Sequence, residues 1–172
     1  MIDYYNSEIY EDALKQKTKV LRIYLLILVV YLLFSAGMFF WFTTLTYESN
    51  VVVIIKLIHY PITLFFLVFS VFYIGIKHNR VKKFCNECYH LENGIREENE
   101  GTFFDYSEDL QDKGGVDFKA IVFLEWNKYK KDYFERKVLV FYELPFPELE
   151  PEKKYKFITQ SNVLIKYQEI ED

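Results

Sequence analysis

Cysteine, glycine and proline are all scarce in this chain, and their scarcity excludes several classes of protein. Two cysteines, six glycines and four prolines are spread over 172 residues. A small secreted domain held together by disulfides carries more cysteines. The sequence also contains no glycine-rich phosphate loop, no serine elbow and no paired-histidine metal motif. We therefore expect neither an enzyme nor a bound cofactor.

Positive charge is scarce in the last part of the chain. Residues 77–83 hold four Lys or Arg and no acid, whereas residues 84–172 hold 12 Lys or Arg against 20 Asp or Glu, a net charge of −8. Binding to a phosphate backbone requires clustered cations. We therefore expect no nucleic acid among the partners.

Two long apolar runs dominate the first half of the chain, roughly at 20–42 and 57–76. Each is long enough to cross a bilayer, which takes about 20 helical residues. The first run is too long for a cleaved signal peptide, and acidic residues precede it. We therefore predict an integral membrane protein with a retained two-helix hairpin at 20–76.

The predicted orientation follows from the cations at the two ends of this hairpin. The connection at 43–50 carries a single charge, Glu48, whereas the two outer ends are rich in Lys and Arg. The positive-inside rule then predicts a cell-membrane protein with both termini in the cytoplasm. The residues predicted to contact the membrane surface are Lys15, Lys17, Lys19, Arg22, Lys77, Arg80, Lys82 and Lys83.

Within the hairpin, a few residues depart from the apolar pattern. Ser35, Ala36 and Gly37 form a small patch that favours close contact with the second span. If that span starts at 57, Lys56 lies at its outer boundary and Pro61 in its first turn. The lead at 1–19 reads as a short helix capped by Asn6 or Ser7.

The region at 77–93 is predicted to continue the second helix as a stalk that ends near Glu92. Cys85 and Cys88 share one stripe of this helix. We read them first as small buried residues. Two alternatives stay open: a metal site completed by a second copy of the chain, and a redox or modified thiol pair.

From residue 94 to 172, the pattern changes to alternation with period two, which indicates an antiparallel β-domain of about five strands, a barrel or sandwich. The predicted strands are 101–107, 116–126, 133–143, 154–160 and 163–170. Glu97–Glu100 reads as a linker, and the acids from Asp105 to Asp112 read as a solvated loop. Two strands are apolar on both faces, so we expect the stalk or a partner to cover the outer face.

The fold class is therefore α+β: a transmembrane hairpin followed by a small cytoplasmic β-domain. In plan it is similar to many small bacterial-type membrane proteins. The leading hypothesis is a membrane-tethered interaction or assembly module, with the lipid bilayer and either another protein or a second copy as partners. One alternative is an accessory subunit of a transporter or channel, motivated by Lys56 and His59. Another is an oligomeric metal or thiol site at Cys85 and Cys88.

Overall fold

A computed structural model describes residues 1–45, 50–127, 129 and 131–170. The chain divides into two compact units. One consists of Met1–Leu14 together with Lys83–Asp172, and the other is Lys15–Lys82. The helices are α1 (Ser7–Thr44), α2 (Asn50–Phe72), a π-helical segment (Tyr73–His78) and α3 (Asn79–Asn93).

The first helix starts where the sequence predicts. The backbone N–H of Ile9 donates to the Asn6 side-chain oxygen at 3.2 Å, which identifies Asn6 as the cap. Helix α1 and the continuous helix from Asn50 to Asn93 are each long and apolar enough to cross a membrane. By length and composition, both predicted spans are therefore present as helices.

Two side-chain contacts set the register between α1 and α2. The Tyr31 hydroxyl donates to Thr63 Oγ1 at 3.1 Å, and His59 Nε2 lies 3.3 Å from Ser35 Oγ. On α1 the contact residue moves forward by four, from Tyr31 to Ser35, and on α2 it moves back by four, from Thr63 to His59. The two helices therefore run antiparallel, with equal steps along both. Only part of the predicted small patch makes this contact. Ser35 does so, whereas Gly37 is exposed and has no neighbouring atom within 4 Å of an added Cβ.

The start of the second helix differs from the prediction. Helix α2 already begins at Asn50, so Pro61 lies well inside it and not in its first turn. A proline there removes the hydrogen bond that residue 61 would donate to the carbonyl of Leu57. The polar residues Lys56 and His59 had suggested a later start. The apolar residues before them nevertheless extend the helix.

Among its described residues, the unit of Met1–Leu14 and Lys83–Asp172 contains six strands: β1 (Ile2–Asp3), β2 (Glu97–Lys113), β3 (Val116–Asn127), β4 (Asp132–Phe141), β5 (Lys154–Gln160) and β6 (Val163–Glu169). Strands β2, β3 and β4 form an antiparallel meander. Strand β2 also pairs with β5, and β5 with β6. The ring closes through a parallel pairing of β6 with β4, at Leu139 and Val163. Strands β2 to β6 thus form a closed five-stranded barrel, and β1 is one extra strand.

The predicted α+β class and five-strand barrel are confirmed, with two differences in strand pairing. The parallel pairing of β4 with β6 was not expected, and β1 adds a short antiparallel strand to the outer edge of β6. A two-residue strand is too short to show an alternating pattern, so β1 could not be predicted from periodicity.

The prediction for β2 was wrong at both ends. Glu97–Glu100, predicted as a linker, pairs with β5. Most of the acidic stretch from Asp105 to Asp112, predicted as a loop, pairs with β3. Register shifts at 103/105 and 107/111 interrupt the ladder and the alternation of side chains. These bulges explain why one 17-residue strand read as a short strand flanked by loops.

Two apolar cores lie on opposite faces of the barrel wall. The core inside the barrel is formed by Phe103, Ile121, Phe123, Val138, Val140, Leu149, Tyr155, Phe157, Leu164 and Tyr167. On the outside, Phe118, Leu139 and Phe141 pack against α3 and the N-terminal segment. The expectation that the stalk helix covers strands apolar on both faces is thus confirmed.

Candidate functional site

The β3–β4 hairpin presents four exposed aromatic side chains near its end. Strand β2 pairs with β3 only as far as Leu124, so the last residues of β3 pair with β4 alone. The Trp126 and Tyr133 rings meet edge to face with centroids 4.9 Å apart. The exposed fractions are 51% for Trp126, 99% for Tyr129, 60% for Tyr133 and 42% for Phe134. We call these four residues the aromatic tip.

The turn that carries the aromatic tip is fixed by local hydrogen bonds. The Tyr129 N–H donates to the Asn127 side chain at 2.9 Å, and the Lys131 N–H donates to the Asn127 carbonyl at 2.8 Å. Lys131 has a φ of 53°, in the left-handed region. Lys128 and Lys130 lie outside the described residues. Asn127 thus accepts hydrogen bonds from the backbone of Tyr129 and of Lys131, and the Tyr129 side chain is exposed.

A partly buried ionic cluster supports the base of the tip. Arg136 lies 3.3 Å from Glu125 on β3 and 3.3 Å from Glu97 on β2. It also donates to the Asn162 side chain at 3.4 Å. Burial raises the pKa of Glu125, and the Arg136 guanidinium partly opposes that rise. The cluster links three strands and the β5–β6 turn just below the tip.

The aromatic tip lies at the far end of β3 from Lys83, the residue of α3 at which this unit begins. Strand β3 starts after the Gly114–Gly115 turn, where both φ values are positive and where Lys83 and Glu87 approach the glycines closely. The tip is at the other end of this 12-residue strand, roughly 35 Å away by contour. Within this unit, the tip and Lys83 therefore lie at opposite ends of β3.

The sequence showed only part of this surface. Residues 127–132 were predicted as a polar hairpin loop, and the structure has a turn there between β3 and β4. The available signal was the recurrence of Trp126, Tyr129 and Tyr133 among lysines. That pattern does not reveal whether the rings point into a core, so exposure had to come from the structure.

Part of the outer face of β3 and β4 is covered by the chain itself. Phe118 and Phe141 pack against Phe84 and Cys85 of α3 and against Tyr5. Among the described residues, the end of this face near the aromatic tip is open to solvent, where Trp126 and Tyr133 are exposed.

The cysteine pair faces the barrel wall. Cys85 and Cys88 are buried in the outer core, and the Tyr5 hydroxyl donates to the Cys88 carbonyl at 3.1 Å. Burial raises the pKa of the Cys88 thiol to about 12. Metal binding and redox exchange both require the thiolate. In the described part of the chain, no three His, Cys, Asp or Glu residues are placed to hold a metal ion. The geometry favours a packing role.

The hairpin unit contains a cavity of about 610 Å³ between α1 and α2. Lys56 and His59 are in its wall, and the Lys56 ammonium lies 5.9 Å from the centre of the Phe42 ring. The matched register places Lys56 opposite residues 38 and 39, about one turn before Phe42. Measured along α1, Lys56 thus lies inside the level of Phe42, the predicted end of the first span.

The predicted membrane-surface cations lie on helices. Lys15, Lys17, Lys19 and Arg22 are on α1, Lys77 is in the π-helical segment, and Arg80, Lys82 and Lys83 are on α3. All except the half-buried Lys17 are exposed. The Tyr73 hydroxyl donates to the Val20 carbonyl at 3.3 Å. The hairpin unit therefore brings both groups of cations to the same end, whereas Lys83 belongs to the barrel unit.

Comparison with known proteins gives no relative: no family model matches the chain, and neither a curated protein nor a solved structure is significantly similar to it.

Proposed function

We propose that the chain is a membrane-anchored module that uses the aromatic tip of its barrel to bind another protein. The anchor is the hairpin of α1 and α2, with both termini on the cytoplasmic side. Its support is the exposure of large apolar side chains, such as Phe40 at 75%, Leu57 at 72% and Phe65 at 73%. Such surfaces are stable in lipid and are rare on monomers in water.

The observation that carries the interaction role is the exposure of the aromatic tip. Exposed Trp and Tyr are uncommon as a group on a solvated surface, and these residue types dominate binding energy at protein interfaces. The ionic cluster of Arg136 holds the hairpin below them, which lowers the entropy lost on binding. The tip therefore has the composition and the rigidity of a contact surface.

Site-specific photocrosslinking in intact membranes tests this role. A photoreactive residue replaces Tyr129, the most exposed member of the tip. We expect one recurring protein adduct, which is lost when Trp126 and Tyr133 are changed to serine in the same chain. The matched control carries the photoreactive residue at Glu143, an exposed position just after the other end of β4. Equal adducts from both positions, or none from Tyr129, would refute the proposal.

Membrane anchoring has its own test. We expect the chain to resist carbonate extraction and to need detergent for release. A reporter joined after residue 172 should be protected inside the cell, and one inserted at Glu48 should be accessible outside. A chain found in the supernatant without detergent would contradict the anchor, and an external C-terminal reporter would contradict the orientation.

The second candidate function is that of an accessory subunit in a transporter or channel. The favouring observation is the polar contact between His59 and Ser35 beside the cavity that Lys56 also lines. Ionisable groups within a span often serve transport. Two helices cannot enclose a pore, so this role requires other subunits. Replacing Lys56 and His59 with leucine should abolish transport by the native complex, and unchanged transport would rule this role out.

A further inference from the structure

Strand β4 has an open edge along its first half. From Asp132 to Val138 it pairs with β3 on one side, whereas its pairing with β6 on the other side is confined to Leu139 and Val163. Among the described residues, no strand therefore lies against this second side before Leu139. An edge of this kind presents backbone donors and acceptors to which another extended chain can add as a strand.

The alternation of the ladder identifies the backbone groups on this edge. The Leu139 N–H donates to the Asn162 carbonyl at 2.8 Å, and the Lys137 carbonyl accepts from the Asn162 side chain, so both residues face away from β3. In an antiparallel pair every second residue does the same, which adds Tyr133 and Glu135. The Tyr133 N–H donates to the carboxylate of the preceding residue at 2.8 Å. The Tyr133 carbonyl, both backbone groups of Glu135 and the Lys137 N–H are thus available to an added strand.

The side chains beside this edge suit contact with another chain. Natural proteins commonly interrupt an exposed edge with a proline or a bulge. Strand β4 contains no proline, and its ladder with β3 has no register shift. Instead Tyr133 and Phe134, which are both exposed, lie on opposite faces at the edge. An added strand therefore meets an aromatic ring on each face.

Charge around the edge determines what kind of chain can add there. Residues 126–137 hold five Lys or Arg against two Asp or Glu, although 84–172 as a whole has a net charge of −8. Lys131 and Lys137 are exposed on either side of the open stretch. A second copy that paired through the same edge would bring the same cations to it, and like charges across paired strands are unfavourable. An acidic segment complements them.

We propose that the open edge of β4 binds an extended acidic segment of the partner protein by strand addition, with the aromatic tip against its side chains. The inference rests on the proposed interaction role of the tip and specifies the chemistry of the partner. A peptide backbone offers the alternating donors and acceptors that the edge requires, whereas a lipid headgroup or a phosphate backbone does not. Glutamate or aspartate side chains of that segment balance the positive charge at 126–137.

Fluorescence anisotropy with the full chain in detergent tests strand addition. The probes are two labelled peptides of equal length, one alternating glutamate with valine and the other alternating lysine with valine. We expect the glutamate peptide to bind, and the lysine peptide to bind about tenfold more weakly or less. Glu135→Pro removes an N–H of the edge and leaves the pairing with β3 intact, so it should lower the affinity for the glutamate peptide about tenfold.

Glu135→Ala is the matched control, because it removes the same side chain and keeps the backbone N–H. It should bind the glutamate peptide at least as tightly as the parent chain, since an acid beside the edge is lost. Circular dichroism checks that the barrel persists in both variants. If Glu135→Pro unfolds it, a glutamate peptide with every amide N-methylated replaces that variant, and this peptide should not bind the parent chain.

Three outcomes overturn strand addition by an acidic segment. They are no binding of the glutamate peptide, equal affinity for the glutamate and lysine peptides, and equal affinity of Glu135→Pro and Glu135→Ala. Full affinity for the N-methylated peptide also overturns it, because charge attraction alone would then account for binding. Absence of a specific photocrosslink from Tyr129 refutes the interaction role itself, so the two failures are distinguishable.

Discussion

The barrel unit and the hairpin unit use similar side chains in opposite ways. In the barrel, Phe118, Phe123 and Phe157 are 0% exposed. In the hairpin, Phe40 and Phe65 are 75% and 73% exposed, and the polar pairs Tyr31–Thr63 and Ser35–His59 lie between the helices. The barrel buries the aromatic residues of its core, whereas the hairpin exposes such rings and pairs polar side chains between its helices.

This difference fits the two solvents that the proposed membrane anchoring gives to the two units. In water, burial of apolar area stabilises a fold by about 25 cal/mol per Å², so the barrel gains from its aromatic core. In lipid that gain disappears, and packing and interhelical hydrogen bonds hold helices together. The hairpin has the second pattern. The following predictions test this contrast, from the largest expected effect to the smallest.

The same substitution in the two units should give very different results. Phe157 stacks on Phe123 with ring centroids 4.3 Å apart inside the barrel. Phe157→Ala should therefore lower the free energy of unfolding by about 3–5 kcal/mol, measured by pulse proteolysis of the full chain in detergent with increasing urea. The control is Phe65→Ala, which should change it by less than about 1 kcal/mol. Equal losses of unfolding free energy in the two variants would contradict the difference between the two units.

Within the barrel unit, a partly buried ion pair should contribute more to stability than an exposed one. Arg136→Met leaves the mostly buried Glu125 without its cation, and should cost about 2 kcal/mol of stability. It should also raise the pKa of Glu125 further, because Arg136 opposes the effect of burial. The comparison variant is Lys153→Met. Lys153 lies 2.7 Å from both Glu150 and Glu169 on the surface, and its loss should cost clearly less stability, because solvent screens exposed ion pairs. The same urea titration measures both variants.

Alkaline pH should weaken the barrel through its buried thiol. Burial raises the pKa of Cys88 to about 12, above the ordinary value of 9.0. The stabilisation is complete below pH 9, and it is lost as the pH rises towards 12, since only the unfolded chain then releases the proton easily. The free energy of unfolding should fall by about 1 kcal/mol per pH unit in this range. The Cys88→Ala variant should show a smaller slope in urea titrations at a series of pH values. An unchanged slope would indicate that Cys88 is accessible to solvent.

The smallest effect is expected from one hydroxyl in the hairpin. Tyr31→Phe keeps the ring that stacks on Phe66 and removes only the hydrogen bond to Thr63. Measured interhelical hydrogen bonds average about 0.6 kcal/mol, so we expect a loss of that size in a titration with denaturing detergent. Tyr24→Phe serves as the control, because its stacking on Tyr73 remains. A loss above about 2 kcal/mol would mean that the helices depend on this contact more than known membrane proteins do.

Much of the architecture could be predicted because it depends on patterns that are local in the sequence. Apolar runs of membrane length predicted both helices, and the stripe of Cys85 and Cys88 predicted the buried face of α3. Alternation predicted strands β3 to β6 with errors of one or two residues at their ends. In each case, neighbouring residues carry the signal, so no long-range information is needed.

The remaining features depend on contacts between distant residues. The bulges of β2 break its alternation, and its first residues become a strand only because β5, more than 50 residues later, pairs with them. The exposure of Trp126 and Tyr133 depends on β2 ending its pairing before the end of β3. The opposition of His59 and Ser35 depends on the register of two helices. A short window of sequence contains no signal for any of these contacts.

The place of β6 in the ring has a consequence for biosynthesis. This strand pairs with β1, β4 and β5, and it is the last of the six to leave the ribosome. The barrel therefore cannot close during most of translation, and Ile2 and Asp3 have no strand to join until Lys166 and Tyr167 have been made. Under the proposed anchoring, the helical hairpin is already inserted by then. The nascent domain thus waits at the membrane in an open form, where chaperones or a partner can reach strands that the finished protein conceals.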